Sequence, residues 1–362
     1  MGHSQLPIYY LFIHPYDLKE LRGDIWCEDP VQGSLKIDKK KLDIDLVYRG
    51  SHTRKFKKKS YNIRFYQPKV YLGAKEIHLN AEYKDISLMR NKLSFDFFTS
   101  IGVLAPRTQH VFLTLNGKPE GIYLQLESVD ELFFQKREYP LGAVFYAVDG
   151  DANFSLLSDL DKDVKESLDL GYEMKFGTAE DVGYLQELIY KINTLPRDEF
   201  DQSIQAYVNV NQYLRWLAGV IFTQNYDGFV HNYSLIRNKE TGLFEVSPWD
   251  YDGTWGRDVN GKVMEYDYVR IEGFNTLTAR ILDIAAFRKE YRSIIEDILA
   301  KEFTVDFMKP KIDILYEQLR PYVLKDPYIQ HQISKFDQEP EFILNFIKDR
   351  SRYISENLHK LD

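Results

Sequence analysis

Apolar and polar residues alternate with period two over several short stretches in the first third of the chain. Leu42-Asp43-Ile44-Asp45-Leu46-Val47-Tyr48 is one, and Tyr61-Asn62-Ile63-Arg64-Phe65 is another. Val111–Leu115 and Ile122–Glu127 repeat the pattern. Successive side chains of a strand point to opposite faces, so each stretch predicts a strand with one buried face. Asn116-Gly117-Lys118 between the last two predicts a tight hairpin turn. One helix interrupts this region. Its apolar stripe is Leu88, Met89, Leu93, Phe97 and Phe98, with Asp85 or Ser87 as N-cap.

The pattern changes near Pro140. Beyond the apolar run Ala143–Val148, helical spacing dominates over Tyr184–Leu195 and Val210–Phe222. From Thr276 to Leu361 the chain reads as amphipathic helices punctuated by Pro310, Pro321, Pro327 and Pro340. One hairpin breaks the helices: Tyr233–Arg237, a turn through Glu240-Thr241-Gly242, then Leu243–Val246. The expected architecture is α+β and two-lobed. Residues 1–140 form a β-rich first lobe, and residues 141–362 a mainly helical second lobe with an inserted β-hairpin. The crevice between two such lobes is a natural ligand site. No internal repeat or low-complexity linker is visible.

A chain of 362 residues suits about two domains and folds without a disulfide or structural metal. Its 47 basic and 55 acidic residues leave a net charge of −8, so no nucleic-acid partner is expected. The single cysteine, Cys27, excludes an intramolecular disulfide and any multi-cysteine metal site, and fits a reducing compartment. Met1–Pro7 has neither the basic nor the apolar region of a secretory signal. No apolar stretch is long enough to span a bilayer, so no membrane partner is expected either. Aromatic residues make up 15% of the chain, including 26 Tyr and 23 Phe. Most such rings fill core, and a few are free to stack on a flat ligand.

The segment richest in chemistry is Asn225-Tyr226-Asp227-Gly228-Phe229-Val230-His231-Asn232, between an apolar helix and the hairpin. The hairpin then returns the chain to Pro248-Trp249-Asp250-Tyr251-Asp252-Gly253. The two ends of an antiparallel hairpin lie together, so Asp250 is expected beside Asn232, with Asp227 close by. Three oxygen-bearing side chains suit Mg²⁺, which takes a few carboxylates and completes its shell with phosphate oxygens and water. The competing explanation is structural: Asp227 and Asp252 precede glycines in turns, and Asn232 caps a strand.

Asp-x-x-x-x-Asn, a hairpin, and then an Asp resembles the catalytic and metal loops of protein kinases. The departures are plain. No His-Arg precedes Asp227, Tyr251-Asp252-Gly253 stands where Phe-Gly would follow Asp250, and no G-x-G-x-x-G lies near the N-terminus. The wider set of segments resembles the CotH kinase family. It comprises Val47–Ser51, Lys58-Lys59-Ser60-Tyr61, Leu88–Leu93, Gly121–Leu124, Asn225–Tyr233 and Pro248–Asp252, and covers nearly the whole chain. That resemblance implies an atypical kinase fold and transfer of phosphate from ATP, with Mg²⁺ or Mn²⁺, to Ser or Thr of spore coat proteins. It also implies residence in the mother-cell cytoplasm and then the spore coat. Asp227 would be the catalytic base, with Asn232 and Asp250 as metal ligands.

Arg49–Lys59 carries six basic residues, a glycine and two hydroxyls between two strands. Such a loop can cradle phosphates or simply be solvated. Given the resemblance, Lys59 is taken as the phosphate lysine, with Arg49 and Ser51 beside it. Lys57 and Lys58 remain alternatives, and strand alternation points Lys58 away from Lys59. Glu127, at the end of its strand, is a candidate to pair with that lysine or to bind nucleotide. Tyr146 and Trp249 are candidates for stacking on adenine. Arg90 reads as a structural ion-pair residue. Asp149-Gly150-Asp151-Ala152-Asn153 begins like a calcium loop but has Phe154 and Leu160 where Gly and an acidic ligand are required, so it reads as a turn. The acidic balance favours basic, Ser-rich protein substrates. AMP transfer on the same scaffold and a non-enzymatic coat-assembly role are the two rival functions.

Overall fold

The computed structural model describes residues 5–66, 71 and 73–362, so Met1–Ser4 of the N-terminal expectation lie outside the described residues. The fold is α+β and divides into two compact units built from non-contiguous segments. One comprises Met1–Lys92, Pro106–Lys136 and Pro310–Phe342. The other comprises Leu93–Ala105, Arg137–Lys309 and Ile343–Asp362.

The first unit contains seven strands: β1 (Ile8–Ile13), β2 (Val31–Ile37), β3 (Lys40–Arg49), β4 (Ser60–Phe65), β5 (Glu76–Asn80), β6 (Thr108–Leu115) and β7 (Lys118–Glu127). They close into a barrel in the order β1-β2-β3-β4-β5-β7-β6, with β1 parallel to β6 and the other pairs antiparallel. Among the described residues, closure leaves this sheet no open edge. Tyr9, Leu11, Leu35, Ile44, Leu46, Ile63, Leu79, Leu113 and Tyr123 fill the interior, with Leu21 of helix α1 (Pro15–Gly23). Asn116 and Gly117 take φ of 48° and 81°, which gives the β6–β7 turn the left-handed backbone a two-residue hairpin requires. The Asn116 amide also bonds both backbone groups of Ile13.

Helix α2 (Arg90–Ser100) starts two residues later than its apolar stripe suggests. Leu88 has φ 58°, outside helical space. Both expected caps act: Asp85 accepts the Arg90 N–H at 2.9 Å, and Ser87 Oγ accepts the Met89 N–H at 3.0 Å. The Leu88 carbonyl lies 2.7 Å from His110 Nε2. Burial pushes His110 down to about 4 from an ordinary 6.5, so the ring is neutral with its proton on Nε2. Its folded state therefore binds fewer protons than the unfolded chain between these values. This contribution is full above pH 6.5 and is lost as pH falls towards 4, a linkage worth about 3 kcal/mol. Urea unfolding at pH 7 and pH 4.5 should show that His110→Gln, which keeps a donor for Leu88, has a shallower pH dependence than the parent. Equal slopes would contradict the assignment.

The later helices are α3 (Glu131–Gln135), α4 (Ala179–Thr194), α5 (Arg197–Ile204), α6 (Val210–Thr223), α7 (Thr276–Leu282), α8 (Ala285–Ala300), α9 (Val305–Val323), α10 (Ile333–Phe336) and α11 (Glu339–Asn357). Pro310 and Pro321, expected between helices, both lie inside α9. Each removes one i→i−4 backbone hydrogen bond from the helix. The buried Ile312, Leu315, Leu319 and Val323 supply the packing that holds the helix.

In the second unit the expected hairpin, β10 (Tyr233–Asn238) and β11 (Phe244–Pro248), is not isolated. It joins β8 (Leu141–Ala147) and β9 (Tyr172–Phe176) in a four-stranded sheet ordered β11-β10-β8-β9. Helix α6 is buried along most of its length, and Trp216 packs edge-on to Tyr233 of β10. Gly219 of α6 lies against Phe98, where any side chain would strike the ring. The buried Arg350 of α11 donates to the Ile221 carbonyl at 2.8 Å, occupying an acceptor in the last turn of α6. Among the described residues no helix is long and apolar enough to cross a membrane.

Candidate active site

Asp227, Asn232 and Asp250 all belong to the second unit. After α6, Gln224 takes φ 59° and turns the chain into a short 3₁₀ segment, Asp227–Phe229. That turn is held by backbone and by Asn225. The Asn225 Oδ1 accepts the Gly228 N–H at 3.2 Å, and the Asp227 carbonyl accepts the His231 N–H at 3.0 Å. The Asp227 carboxylate is 36% exposed and stands 3.9 Å from His231 Nε2. Strand β10 then begins, with Tyr233 paired to Pro248 of β11. The Trp249 N–H donates to the Asn232 carbonyl at 2.9 Å, so Asp250 emerges at the same end of the hairpin as Asn232.

Asn232 and Asp250 have φ of 59° and 55°. Non-glycine residues seldom take this region, and Asn and Asp tolerate it best. Tyr251 anchors the segment beyond Asp250. Its ring is buried against Phe95 and Phe98, and its hydroxyl lies beneath Gly228. The catalytic and metal loops of the resemblance thus rest on one buried aromatic group. Thr254 and Trp255 continue the anchoring, with the indole donating to Ser94 Oγ at 2.9 Å.

Among the described residues no group of three or more His, Cys, Asp or Glu side chains forms a cage for a metal. The Asn232–Asp250 pair offers one amide and one carboxylate at a hairpin end. Such a set fits Mg²⁺ or Mn²⁺ only when phosphate oxygens complete the shell.

Tyr146 and Trp249 stack on one another, centroids 5.2 Å apart and planes at 29°, and both are half-buried. They form one aromatic platform beside the hairpin end. The calcium-like segment is a turn, as its sequence reads. A lysine occupies its interior: the buried Lys165 ammonium bonds the Asp151 carbonyl and Asn153 Oδ1.

The basic-loop candidates lie in the first unit and are largely engaged there. Arg49 bonds Asn80. Ser51 is exposed and precedes the 3₁₀ segment His52–Lys55. Arg54 donates to the Gly50 carbonyl at 2.8 Å and pairs with Glu28 at 2.6 Å. Lys59 donates to the Arg54 carbonyl and lies 5.7 Å from the centre of the Tyr48 ring. Its neighbour Lys58 is the fully buried lysine. Burial pulls Lys58 below the ordinary lysine range, against the opposing pull of the Asp326 carboxylate 3.1 Å away. Lys58 also donates to the Ile122 carbonyl at 2.5 Å, and Asp326 accepts the Ile122 N–H at 2.8 Å. The two side chains clamp the backbone of a single residue of β7, Ile122. Gly121, at φ 101°, has no room for a side chain because a Cβ would fall on the Asp326 carboxylate. Two motifs far apart in sequence, Lys58-Lys59 and Gly121-Ile122, therefore meet at Asp326, a residue with no local sequence signal.

Glu127 is buried, bonds the Arg107 N–H at 3.1 Å, and lines a cavity of about 280 Å³ with Gln109, Gln125 and Lys136. The lysine it pairs with is Lys136 rather than Lys59. Arg90 is the structural ion-pair residue expected, fully buried between Asp85 and Glu339.

A family described as CotH kinase protein matches residues 46–354. The chain is 60% identical over 357 residues to inner spore coat protein H of Bacillus subtilis (strain 168), covering 99% of both chains. It is 28% identical over 352 residues to the inner spore coat protein H-like protein of the same strain, covering 97% of this chain and 99% of the relative. Among solved structures, the Helicobacter pylori proinflammatory kinase CtkA has a TM-score of 0.35 at 12% identity, over 83% of this chain and 93% of its own. A chain of the Shewanella oneidensis MR-1 complex of HipA, HipB and operator DNA has a TM-score of 0.34 at 14% identity, over 100% of this chain and 74% of its own.

Proposed function

The chain belongs to the CotH kinase family, and on that premise we propose that it is an ATP-dependent Ser/Thr protein kinase acting on spore coat proteins. The observation that carries this reading is the hairpin register, which puts Asn232 and Asp250 at one end with Asp227 in the turn just before it. In this mechanism Asp227 orients the substrate hydroxyl and takes its proton as that oxygen attacks the γ-phosphorus, whose bond to the β–γ bridging oxygen breaks and releases ADP. Asn232 and Asp250 would hold Mg²⁺ or Mn²⁺, which when bound would neutralise charge on the phosphate oxygens. Lys59, with Arg49 and Ser51, supplies positive charge and donors to the phosphates, and Glu127 contributes to nucleotide binding. The Tyr146–Trp249 platform offers a flat surface for adenine. Catalysis rests mainly on positioning and charge neutralisation. The substrates are Ser-rich basic proteins, met in the mother-cell cytoplasm during coat assembly, after which the enzyme remains in the coat.

The test is incubation of the purified protein with γ-labelled ATP, Mg²⁺ and a Ser-rich basic coat protein. Label should pass to serine of the substrate and be lost with EDTA. An unlabelled substrate under conditions where the protein binds nucleotide would overturn the proposal, leaving AMP transfer, whose γ-label departs in pyrophosphate, or a scaffold role.

A further inference from the structure

Strand β9 ends the second unit's sheet, and its outer side carries chemistry that the proposed mechanism does not use. The ladder pairs Ala147 with Tyr172, and the Val148 N–H donates to the Gly171 carbonyl at 2.8 Å. By the alternation of an antiparallel ladder, Tyr172 and Met174 turn their backbone groups outward. The Tyr172 N–H is taken by the Asp169 carbonyl, and the same alternation turns the Met174 N–H outward, just before a register shift that pairs Val144 with Phe176. Met174 is 40% exposed and Phe176 37%.

The connection from β8 folds into a small platform at the head of β9, where Asp151 and Ala152 pack against the Gly171 backbone. Leu157 and Val164 form a bridge within it. The platform is rigid at its base, where Asp151 accepts from Ser158 Oγ and the Asp159 N–H, and Lys165 fills the interior. Its outer surface is apolar: Leu157 is 55% exposed, Leu160 60% and Val164 67%. It is also acidic. Between Asp149 and Glu173 eight acidic residues stand against two lysines, in a chain whose whole net charge is −8.

We propose that the β9 edge and this platform are a docking site for an extended, lysine- or arginine-rich segment of a protein substrate, bound by strand addition. The backbone of β9 supplies ladder bonds, the exposed apolar side chains take alternate residues of the guest, and Asp161, Asp163 and Glu166 meet its basic residues. An uncharged or acidic guest gains only the first two terms. The site rests on the kinase reading in one respect, that the docked chain carries the target hydroxyl. Tyr172, Ala147, Tyr233 and Pro248 form one row across the sheet, next to Asn232 and Trp249. A strand added at β9 lies about 14 Å from β10, a span of about four or five extended residues. The target serine should therefore stand at least about that far from the docked segment.

The probe is a fluorescent synthetic peptide alternating lysine with valine, with a glutamate-for-lysine version as control, tested without ATP. Anisotropy should show salt-sensitive binding of the lysine peptide alone, and hydrogen exchange should show protection within residues 172–176. The triple change Asp161→Asn, Asp163→Asn, Glu166→Gln should weaken binding at least about tenfold. Met174→Pro, which removes the outward N–H, should abolish it. The triple variant leaves backbone and core intact, so it decides the matter even if Met174→Pro misfolds. Equal binding by parent and triple variant, or protection elsewhere, overturns the docking site. Self-association of the parent that is lost in Met174→Pro also overturns it, assigning the edge to a second copy. Binding is read without turnover, so docking without phosphate transfer counts against the kinase reading alone. Transfer without docking counts against this site alone.

Discussion

Asp227→Asn should leave Mg-ATP affinity within a few fold of the parent and cut phosphate transfer by at least about 10²-fold, since a general base typically contributes about 10²- to 10⁴-fold. The prediction is sharp because the fold does not need this carboxylate. The turn is made by the Asn225 side chain and the Asp227 carbonyl, and both survive the substitution. Asparagine keeps the shape of the side chain but neither accepts a proton nor orients a hydroxyl as an anion does. The melting temperature should therefore stay nearly constant while kcat falls and the KM for ATP does not. If Asp227 were only a turn residue before Gly228, asparagine would serve equally well, because it suits turns as readily as aspartate does. Parental turnover in a folded Asp227→Asn protein would remove Asp227 from the mechanism.

Asp250→Asn should abolish metal-dependent ATP binding. Asp250 is the one carboxylate of the proposed ligand pair, and it sits at φ 55°. Asparagine tolerates that left-handed backbone as aspartate does, so the exchange removes charge without adding strain. Calorimetric titration of ATP should show Mg²⁺-dependent binding in the parent and none in the variant, with little change in melting temperature. Normal Mg-ATP binding by the variant would put the metal elsewhere.

The strands legible in the sequence were those with one buried face, such as β3 and β4, where burial alternates with the residues. Four others, β1, β2, β5 and β9, were not. β1 is apolar throughout, IYYLFI, although only Tyr9, Leu11 and Ile13 of its second half-pattern point inward. β5 is only five residues long, and the polar face that Glu76, His78 and Asn80 make is buried together with the apolar one, so it does not follow the rule of one buried and one solvated face. The edge strand β9 alternates apolar and polar residues, but it is only five residues long and its apolar side chains are part-exposed, so the pattern does not stand out from a loop. The nearness of Asn232 and Asp250 in the backbone was legible because a hairpin with recognisable arms converts sequence distance into spatial nearness. The partner of Lys58 was not: Asp326 follows 268 residues later, and no local periodicity announces a buried ion pair. Nor did spacing reveal that Tyr146 and Trp249 would stack on each other, since they meet only through the pairing of β8 with β10.

In the proposed reaction the γ-phosphate moves to a substrate hydroxyl. Intact-mass spectrometry of a Ser-rich basic protein after incubation with this protein, ATP and Mg²⁺ reads that transfer. Mass increments of whole phosphoryl groups are expected, located on serine or threonine, lost with EDTA and at least about 10²-fold fewer with Asp227→Asn. Increments of whole adenylyl groups would contradict it, because they would mean that the α-phosphate is the one attacked.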